Sequence, residues 1–152
     1  MKPNNLRKHP EGGSYQEVFR SANLIANVSN TGRSALTHIY FSLASHERSR
    51  FHRVDADEVW NLYSGQGMYL YIWDGTKNSP ETITLSAEEN CFCHVIPAGS
   101  WQAAEPIAGE VLVGCSVAPG FEFDGFTLMS RTSAEAEMIR AMNPELERLI
   151  YP

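Results

Sequence analysis

Short β-like runs separated by turn residues recur along most of the chain, and this recurrence constrains the fold more than any other feature. Successive runs lie about 8–12 residues apart, with glycine, proline, serine or asparagine in the gaps. Such spacing is typical of an all-β sandwich or barrel. The predicted strands cover residues 16–21, 36–43, 51–60 (with a turn at 54–57), 68–73, 81–85, 91–96, 110–117 and 121–129.

Helical patterns are confined to the end of the chain. Thr132 and Glu135 form a capping box before one amphipathic run. Asn143 then precedes Pro144, a residue suited to the first position of a second helix. We expect one domain over residues 1–152, with a barrel over about 14–129, a polar loop at 27–32, and a helical tail over 132–150 that packs on the barrel or on a partner subunit.

Length and charge narrow the range of functions. The chain has 152 residues, enough for one domain with a substantial core. Its net charge of −6, from 12 basic and 18 acidic residues, argues against a nucleic acid or an anionic membrane as the main partner. No apolar run approaches the ~20 residues needed to span a bilayer, and no signal peptide is predicted. Three cysteines give no disulfide framework, so a cytoplasmic protein is expected.

The stretch 51–60 places a histidine and a carboxylate among apolar residues. Strand alternation puts His52, Val54 and Glu58 on one face if the turn keeps register, and Trp60 continues that face. Two polar groups within an otherwise apolar sheet form either a ligand site or a buried network in which they satisfy each other. The residues by themselves fit both interpretations.

The same residues match a known motif. His52, Glu58 and Gly65 stand at the spacings of the first cupin motif, and Val54 occupies the position of that motif's second histidine. The second cupin motif, Pro-x-Gly-x-x-His, is matched by residues 97–102 with Gln102 in place of histidine. The sequence therefore resembles the cupin superfamily.

Four segments narrow the resemblance to cupin family 5, a family long catalogued as a domain of unknown function. They are His-Pro-Glu-Gly-Gly and its continuation at 9–20, then 51–60, 97–102 and 114–121, in that order. The resemblance implies an all-β cupin fold, a double-stranded β-helix or jelly-roll barrel, which the short C-terminal helices predicted above would follow. It also implies a homodimer and an internal pocket, but little about activity, since fold does not fix function.

Metal binding is the first question that the resemblance raises. Divalent first-row metals take three or four histidine or carboxylate ligands. His52 and Glu58 supply two, Gln102 is a poor third, and Val54 contributes none. The expected cofactor is therefore none, or a weakly held zinc or nickel ion on His52, Glu58 and Gln102.

Chemistry without a metal would use His52 as a general base near neutral pH, with Glu58 as the carboxylate that orients it. This resembles the sugar-nucleotide epimerase branch of the cupins, which implies Tyr40 as the opposing acid. The expected ligand is a small polar organic molecule such as a sugar or nucleotide-linked sugar. Three functions stay open: a metal-independent epimerase or isomerase, a non-catalytic small-molecule binder, and a metal-dependent oxygenase or isomerase.

Further residues are candidates for ligand contact. Arg20 would hold an anionic group of the ligand, although a surface pair with Glu17 fits equally well. His38 lies on a strand whose pocket-facing side the sequence does not settle. His9 and Glu11 are expected to be loop residues, with Glu11 capping a turn or the two residues reaching the pocket as alternatives. The ligand-binding candidates are Gln102, Trp60, Arg20, His38 and Trp101.

Overall fold

The computed structural model describes residues 3–26, 32–76 and 78–152, so the predicted loop at 27–32 lies almost wholly outside it. One α-helix, α1 (Ala134–Met142), and two 3-10 helices, Phe123–Gly125 and Pro144–Leu149, occur in these ranges. The strands there are β1 (Arg7–Lys8), β2 (Ser14–Arg20), β3 (Leu24–Ile25), β4 (Arg33–Ser34), β5 (Thr37–Leu43), β6 (Ser49–Val54), β7 (Asp57–Ser64), β8 (Met68–Trp73), β9 (Glu81–Leu85), β10 (Cys93–Ile96), β11 (Trp101–Pro106), β12 (Val111–Ala118) and β13 (Phe126–Leu128).

Two antiparallel sheets contain most of these strands. The six-stranded sheet has the order β1-β2-β5-β12-β7-β10, and the five-stranded sheet has the order β13-β6-β11-β8-β9. β3 and β4 form a separate pair. The predicted all-β class with short C-terminal helices is confirmed.

The two sheets pack face to face. Phe41 and Trp60 from the six-stranded sheet share a buried cluster with Leu70 and Ala104 from the five-stranded sheet. The rings of Phe41 and Trp60 meet edge to face with centroids 5.7 Å apart, a favourable aromatic geometry. Both rings also border the cavity described below, so the core supports the site directly.

The turn at residues 55–56 carries the chain from one sheet to the other. β6 ends at Val54 in the five-stranded sheet, and β7 begins at Asp57 in the six-stranded sheet. The predicted order of strand, tight turn and strand is therefore present, but the two strands do not pair. Because both contribute inward-facing side chains, His52 and Glu58 reach one cavity from opposite sheets.

The C-terminal tail covers the outer face of the five-stranded sheet. Phe51, Trp73 and Trp101 from that sheet pack with Ile139 and Leu149 from the tail in a second buried cluster. The tail therefore packs on the barrel, which is one of the two surfaces predicted for it. This second core explains why β6, β8 and β11 carry apolar residues on both faces of their sheet.

The helix termini differ from prediction in detail. Ser133 is the N-cap of α1, because its hydroxyl accepts a hydrogen bond from the Ala136 amide at 3.1 Å. The predicted capping box of Thr132 and Glu135 is therefore wrong. Asn143 precedes the second 3-10 helix as predicted but makes no side-chain capping bond. No helix within the described ranges is long and apolar enough to cross a membrane.

Candidate functional site

A cavity of about 100 Å³, partly open to solvent, lies between the two sheets. Its walls come from β2, β5, β7 and β12 on one side and from β6 on the other, and residues 9–11 and 121–126 border it as well. Both His52 and Glu58 line it.

The loop between β1 and β2 folds inward against this cavity. The His9 amide donates to the Gly13 carbonyl at 3.1 Å, and the Arg50 amide donates to the Glu11 carbonyl at 2.9 Å. Gly12 has φ +113°, and a Cβ there would lie 2.1 Å from the Arg48 carbonyl oxygen. Glycine is therefore required, and the resulting backbone path places the side chains of His9 and Glu11 in the cavity lining.

Glu11 is the centre of a buried ionic network. Its Oε1 accepts a hydrogen bond from the Ser49 hydroxyl at 2.6 Å, and its Oε2 lies 3.2 Å from both His9 Nδ1 and His52 Nε2. Burial acts to raise the pKa of Glu11, but His52, His9 and Ser49 together outweigh it, so the pKa lies below its ordinary value. Glu11 is consequently ionised at neutral pH.

Both ring nitrogens of His52 are engaged. Nδ1 lies 2.7 Å from the Arg50 carbonyl oxygen, which can only accept, so Nδ1 carries a hydrogen. Nε2 faces the Glu11 carboxylate, a contact that is attractive when a proton lies between the two atoms. Burial lowers the pKa of His52, and the charge of Glu11 offsets part of this effect. The predicted pairing of His52 with Glu58 is therefore wrong, and neither nitrogen is free to take a proton from a ligand.

Glu58 lies on the other wall, held by Gln102. The Gln102 amide donates to Glu58 Oε2 at 2.6 Å, and its own Oε1 accepts from Trp60 Nε1 at 2.8 Å. Burial raises the pKa of Glu58, and the negative charge of Glu11 raises it further, to about 7, despite the Gln102 hydrogen bond. The Cys115 thiol also hydrogen-bonds to Glu58, and burial keeps the pKa of that thiol well above its ordinary value.

Aromatic rings surround the imidazole of His9. We call this group the aromatic collar; its ring centroids lie 4.9 to 6.3 Å from that of His9. Phe123, half exposed, is its outermost member. His9 Nδ1 faces Glu11, while its Nε2 has no hydrogen-bond partner within the described residues. The collar consists of Tyr15, Phe41, Phe121, Phe123 and Phe126.

Arg20 lines the cavity, as predicted, but its donors are already committed. Its Nε and Nη2 donate to the two carboxylate oxygens of Glu17 at 3.0 and 2.9 Å. Its Nη1 donates to Glu122 Oε1, and Nη2 also donates to the Phe121 carbonyl, each at 3.0 Å. Two glutamates thus outnumber the one guanidinium, which argues against its predicted role of holding an anionic group.

His38 and Tyr40 lie on the opposite face of the sheet from the cavity. The odd-numbered residues of β5 face inward, so strand alternation turns these two outward. His38 Nδ1 lies 2.8 Å from the Ser116 hydroxyl, and its Nε2 lies 2.9 Å from the Tyr63 hydroxyl. Contrary to prediction, Tyr40 cannot act as the opposing acid and His38 cannot contact a ligand in this cavity.

Trp101 also faces away from the cavity. It belongs to the core beneath the C-terminal tail, and the Arg53 guanidinium lies 4.8 Å from its ring centroid. The neighbouring Gln102 points inward, so alternation places Trp101 outward. Its predicted role in ligand binding is therefore wrong, whereas Trp60 does line the cavity.

The side chains predicted to bind a metal do not form a suitable ligand set. The carboxamide oxygen of Gln102 is occupied by Trp60, and its amide group by Glu58. Val54, also in the lining, offers no donor. No group of three or more histidine, cysteine, aspartate or glutamate side chains in the described part of the chain is arranged to hold a metal ion.

His9 and Glu11 are the site residues that the sequence-based prediction missed. It treated them as loop residues because the neighbouring proline and glycines indicate a turn. The available signal was the pairing of an acid with two consecutive glycines, which allows a close backbone approach that carries a charged side chain inward. The partner of that acid, His52, is distant in sequence and could not be identified by spacing.

Comparison with known proteins agrees with this architecture. The two facing sheets with an internal cavity are those of a cupin. The family model described as Cupin superfamily (DUF985) matches residues 1–129, and the chain belongs to that family, which confirms the resemblance found in the sequence. No functionally curated protein matches the chain.

Solved structures show the same fold. A protein from Shewanella oneidensis is 33% identical with a TM-score of 0.79, over 97% of this chain and 92% of its own. A hypothetical protein from Leishmania major is 25% identical with a TM-score of 0.78, over 97% and 94%. A cupin 2 conserved barrel domain protein from Rhodopseudomonas palustris is 14% identical with a TM-score of 0.65, over 95% and 87%, which shows the fold alone.

Proposed function

We propose that this cupin binds a small polar organic molecule and moves a proton on a carbon next to a carbonyl group, as a metal-independent isomerase or epimerase. The observation that carries the proposal is Glu58, a buried carboxyl in the cavity lining with a pKa of about 7. A general base or acid works best when its pKa lies near the working pH. The cytoplasmic location of the protein stays a prediction from the sequence.

Glu58 replaces His52 as the base in this proposal. Its Oε2 is fixed by Gln102, which leaves Oε1 with no partner beyond the Cys115 thiol among the described residues. In the forward step the ligand's C–H bond breaks, the proton passes to Glu58, and the electron pair moves to the carbonyl oxygen to give an enolate. Return of a proton to the carbon, on the same or the other face, completes isomerisation or epimerisation.

The network of His9, Glu11 and His52 has a supporting role. Glu11 is ionised and close enough to Glu58 to raise its pKa, so the two carboxyls have opposite preferences for a proton. Carboxyls whose surroundings separate their pKa values are the usual sign of a divided acid–base role. His9, whose Nε2 faces no protein partner in the described chain, is our candidate for the second proton-transfer group.

Proton exchange with solvent tests the proposal. Candidate hydroxycarbonyl compounds and sugars are incubated with the protein in heavy water, and deuterium at the carbon next to the carbonyl is followed by NMR. We expect labelling that Glu58→Gln reduces at least about a thousandfold, because the base is lost, and that His52→Gln reduces less. Glu88→Gln, which removes an exposed carboxylate outside the cavity lining, is the matched control.

The outcomes separate the competing functions. Labelling that survives Glu58→Gln but disappears in His52→Gln would restore His52 as the base. Binding of a compound to the wild-type protein without any labelling would instead indicate a non-catalytic small-molecule binder. Either result contradicts the assignment of proton transfer to Glu58.

A further inference from the structure

The charges around the cavity favour one class of ligand. Its lining contains four glutamates, one arginine and two histidines, and it contains no lysine. Its formal charge runs from −3, with both histidines neutral and Glu58 ionised, to 0, with both histidines charged and Glu58 protonated. The lining is never positive, whichever of these groups carries a proton.

The positive charge of Arg20, which would attract an anion, is neutralised by neighbouring carboxylates. The two carboxylates around Arg20 belong to Glu17 and Glu122, and four of its N–H donors are used within this group and on a carbonyl. Glu122 Oε2 has no partner among the described residues, so a carboxylate oxygen stays available at the cavity mouth. The mouth therefore attracts cations and repels anions.

The aromatic collar also favours a ligand with a positive charge. Phe121 and Phe123 lie beside Glu122, with their ring centroids 5.0 Å apart and their planes at 84°. The faces of aromatic rings carry negative potential and attract ammonium groups, most strongly where water is partly excluded. Deeper in the cavity, the buried carboxyl of Glu58 is a further acidic group in the lining.

We propose that the ligand of this cavity carries a positive charge, as a protonated amine or a quaternary ammonium group, seated between Glu122 and the outer rings of the aromatic collar. The inference rests on the proposed function in one respect, that the cavity binds a small organic molecule. It excludes the nucleotide-linked sugars considered from the sequence, because their phosphates would meet carboxylates and no free cation in the described lining.

Three probes of similar shape and different charge test this preference: choline, its neutral isostere dimethylbutanol and the anionic dimethylbutanoate. Binding is measured by isothermal titration calorimetry at low ionic strength. We expect choline to bind at least about tenfold more tightly than dimethylbutanol, and dimethylbutanoate to bind most weakly. The charge of choline does not change with pH, so its affinity reports on the cavity alone.

Two substitutions at the mouth have opposite expected effects. Glu122→Gln weakens choline binding several-fold and leaves dimethylbutanol unchanged, because one carboxylate is lost. Arg20→Gln tightens choline binding, because Glu17 and Glu122 are then no longer neutralised. Glu88→Gln, with the same loss of charge outside the lining, changes neither probe.

The possible failures are distinguishable. Dimethylbutanol or dimethylbutanoate binding as tightly as choline overturns the charge preference while the small-molecule cavity stands. If neither Glu122→Gln nor Arg20→Gln alters choline binding, the proposed position of the positive charge next to Glu122 is wrong. No binding by any of the three probes overturns the charge preference and also counts against the proposed function.

Discussion

Glu58 and Glu11 show how two carboxyls of one cavity acquire opposite properties. Glu11 receives a hydrogen bond from a hydroxyl and faces two imidazoles, whereas Glu58 is buried with hydrogen bonds only from the Gln102 amide and the Cys115 thiol among the described residues. The sequence identifies Glu58 through its motif spacing, but the partner of His52 depends on a contact between segments far apart in the chain. Strand alternation likewise allowed either face of β5, so the outward positions of His38 and Tyr40 could not be predicted.

The raised pKa of Glu58 has a consequence for stability. Between pH 4.5, its ordinary value, and about pH 7, the folded protein keeps this proton while the unfolded chain loses it. Stability contributed by the protonated carboxyl is thus complete below pH 4.5 and is lost as the pH rises through about 7, by about 3 kcal/mol in all.

We expect Glu58→Gln to remove this dependence. The free energy of unfolding is measured by urea titration for both proteins. The value for the variant minus the value for the wild-type protein should increase by about 3 kcal/mol from pH 4.5 to 8. The variant Glu88→Gln should show no such trend. A difference between Glu58→Gln and wild type that stays constant across this range would mean that Glu58 titrates normally.

At the scale of elements, the loop that carries Glu11 and the turn that precedes Glu58 differ in how far they could be predicted. β11 is not among the predicted strands, and the single strand predicted at 121–129 contains a 3-10 helix before β13. Most of the other long strands, the all-β class and the turn after Val54 follow from local spacing. The placement of β6 and β7 in different sheets does not follow from local spacing, because it depends on the long-range pairing of β6 with β11 and of β7 with β12. The inward path of the first loop depends on the fit of Gly12 against Arg48.

Gly12→Ala tests this loop. A Cβ at φ +113° and 2.1 Å from a backbone oxygen forces the loop to move, at a cost of about 2–3 kcal/mol in the free energy of unfolding. If the loop moves, Glu11 leaves the cavity and the pKa of Glu58 falls, since the charge of Glu11 helps to raise it.

Gly109→Ala is the matched control for this loop. It introduces a side chain at φ +64° with no atom within 4 Å, so it should cost only about 1 kcal/mol and leave Glu58 unaffected. Equal losses in the two variants, measured by urea unfolding, would show that the contact with Arg48 does not hold the loop.

At the scale of the whole molecule, the homodimer implied by the family resemblance stays a prediction. The β10 edge of the six-stranded sheet offers a surface for it, where Val95 in that strand and Phe92 just before it are each about half exposed. Clusters of exposed apolar side chains of this kind commonly mark protein contacts.

We expect a mass of twice 17.0 kDa for the wild-type protein in light scattering. The double variant Phe92→Ser, Val95→Ser should be monomeric, because it removes apolar area from this surface. The control Leu24→Ser, at an exposed position on the separate β3–β4 pair, should remain dimeric. A monomeric wild-type protein, or a dimer that the double variant does not disturb, would contradict the use of this surface.

The proposed proton transfer and the predicted pH dependence of stability both depend on one carboxyl, Glu58, whose pKa lies at about 7. Infrared difference spectroscopy of the wild-type protein against Glu58→Gln, recorded through a pH titration, observes the carbonyl stretch of that protonated carboxyl directly. We expect the band of Glu58 to persist from acid pH and to disappear with a midpoint at about pH 7. A midpoint near 4.5, the ordinary value, would contradict both the buried state of Glu58 and its proposed role in proton transfer.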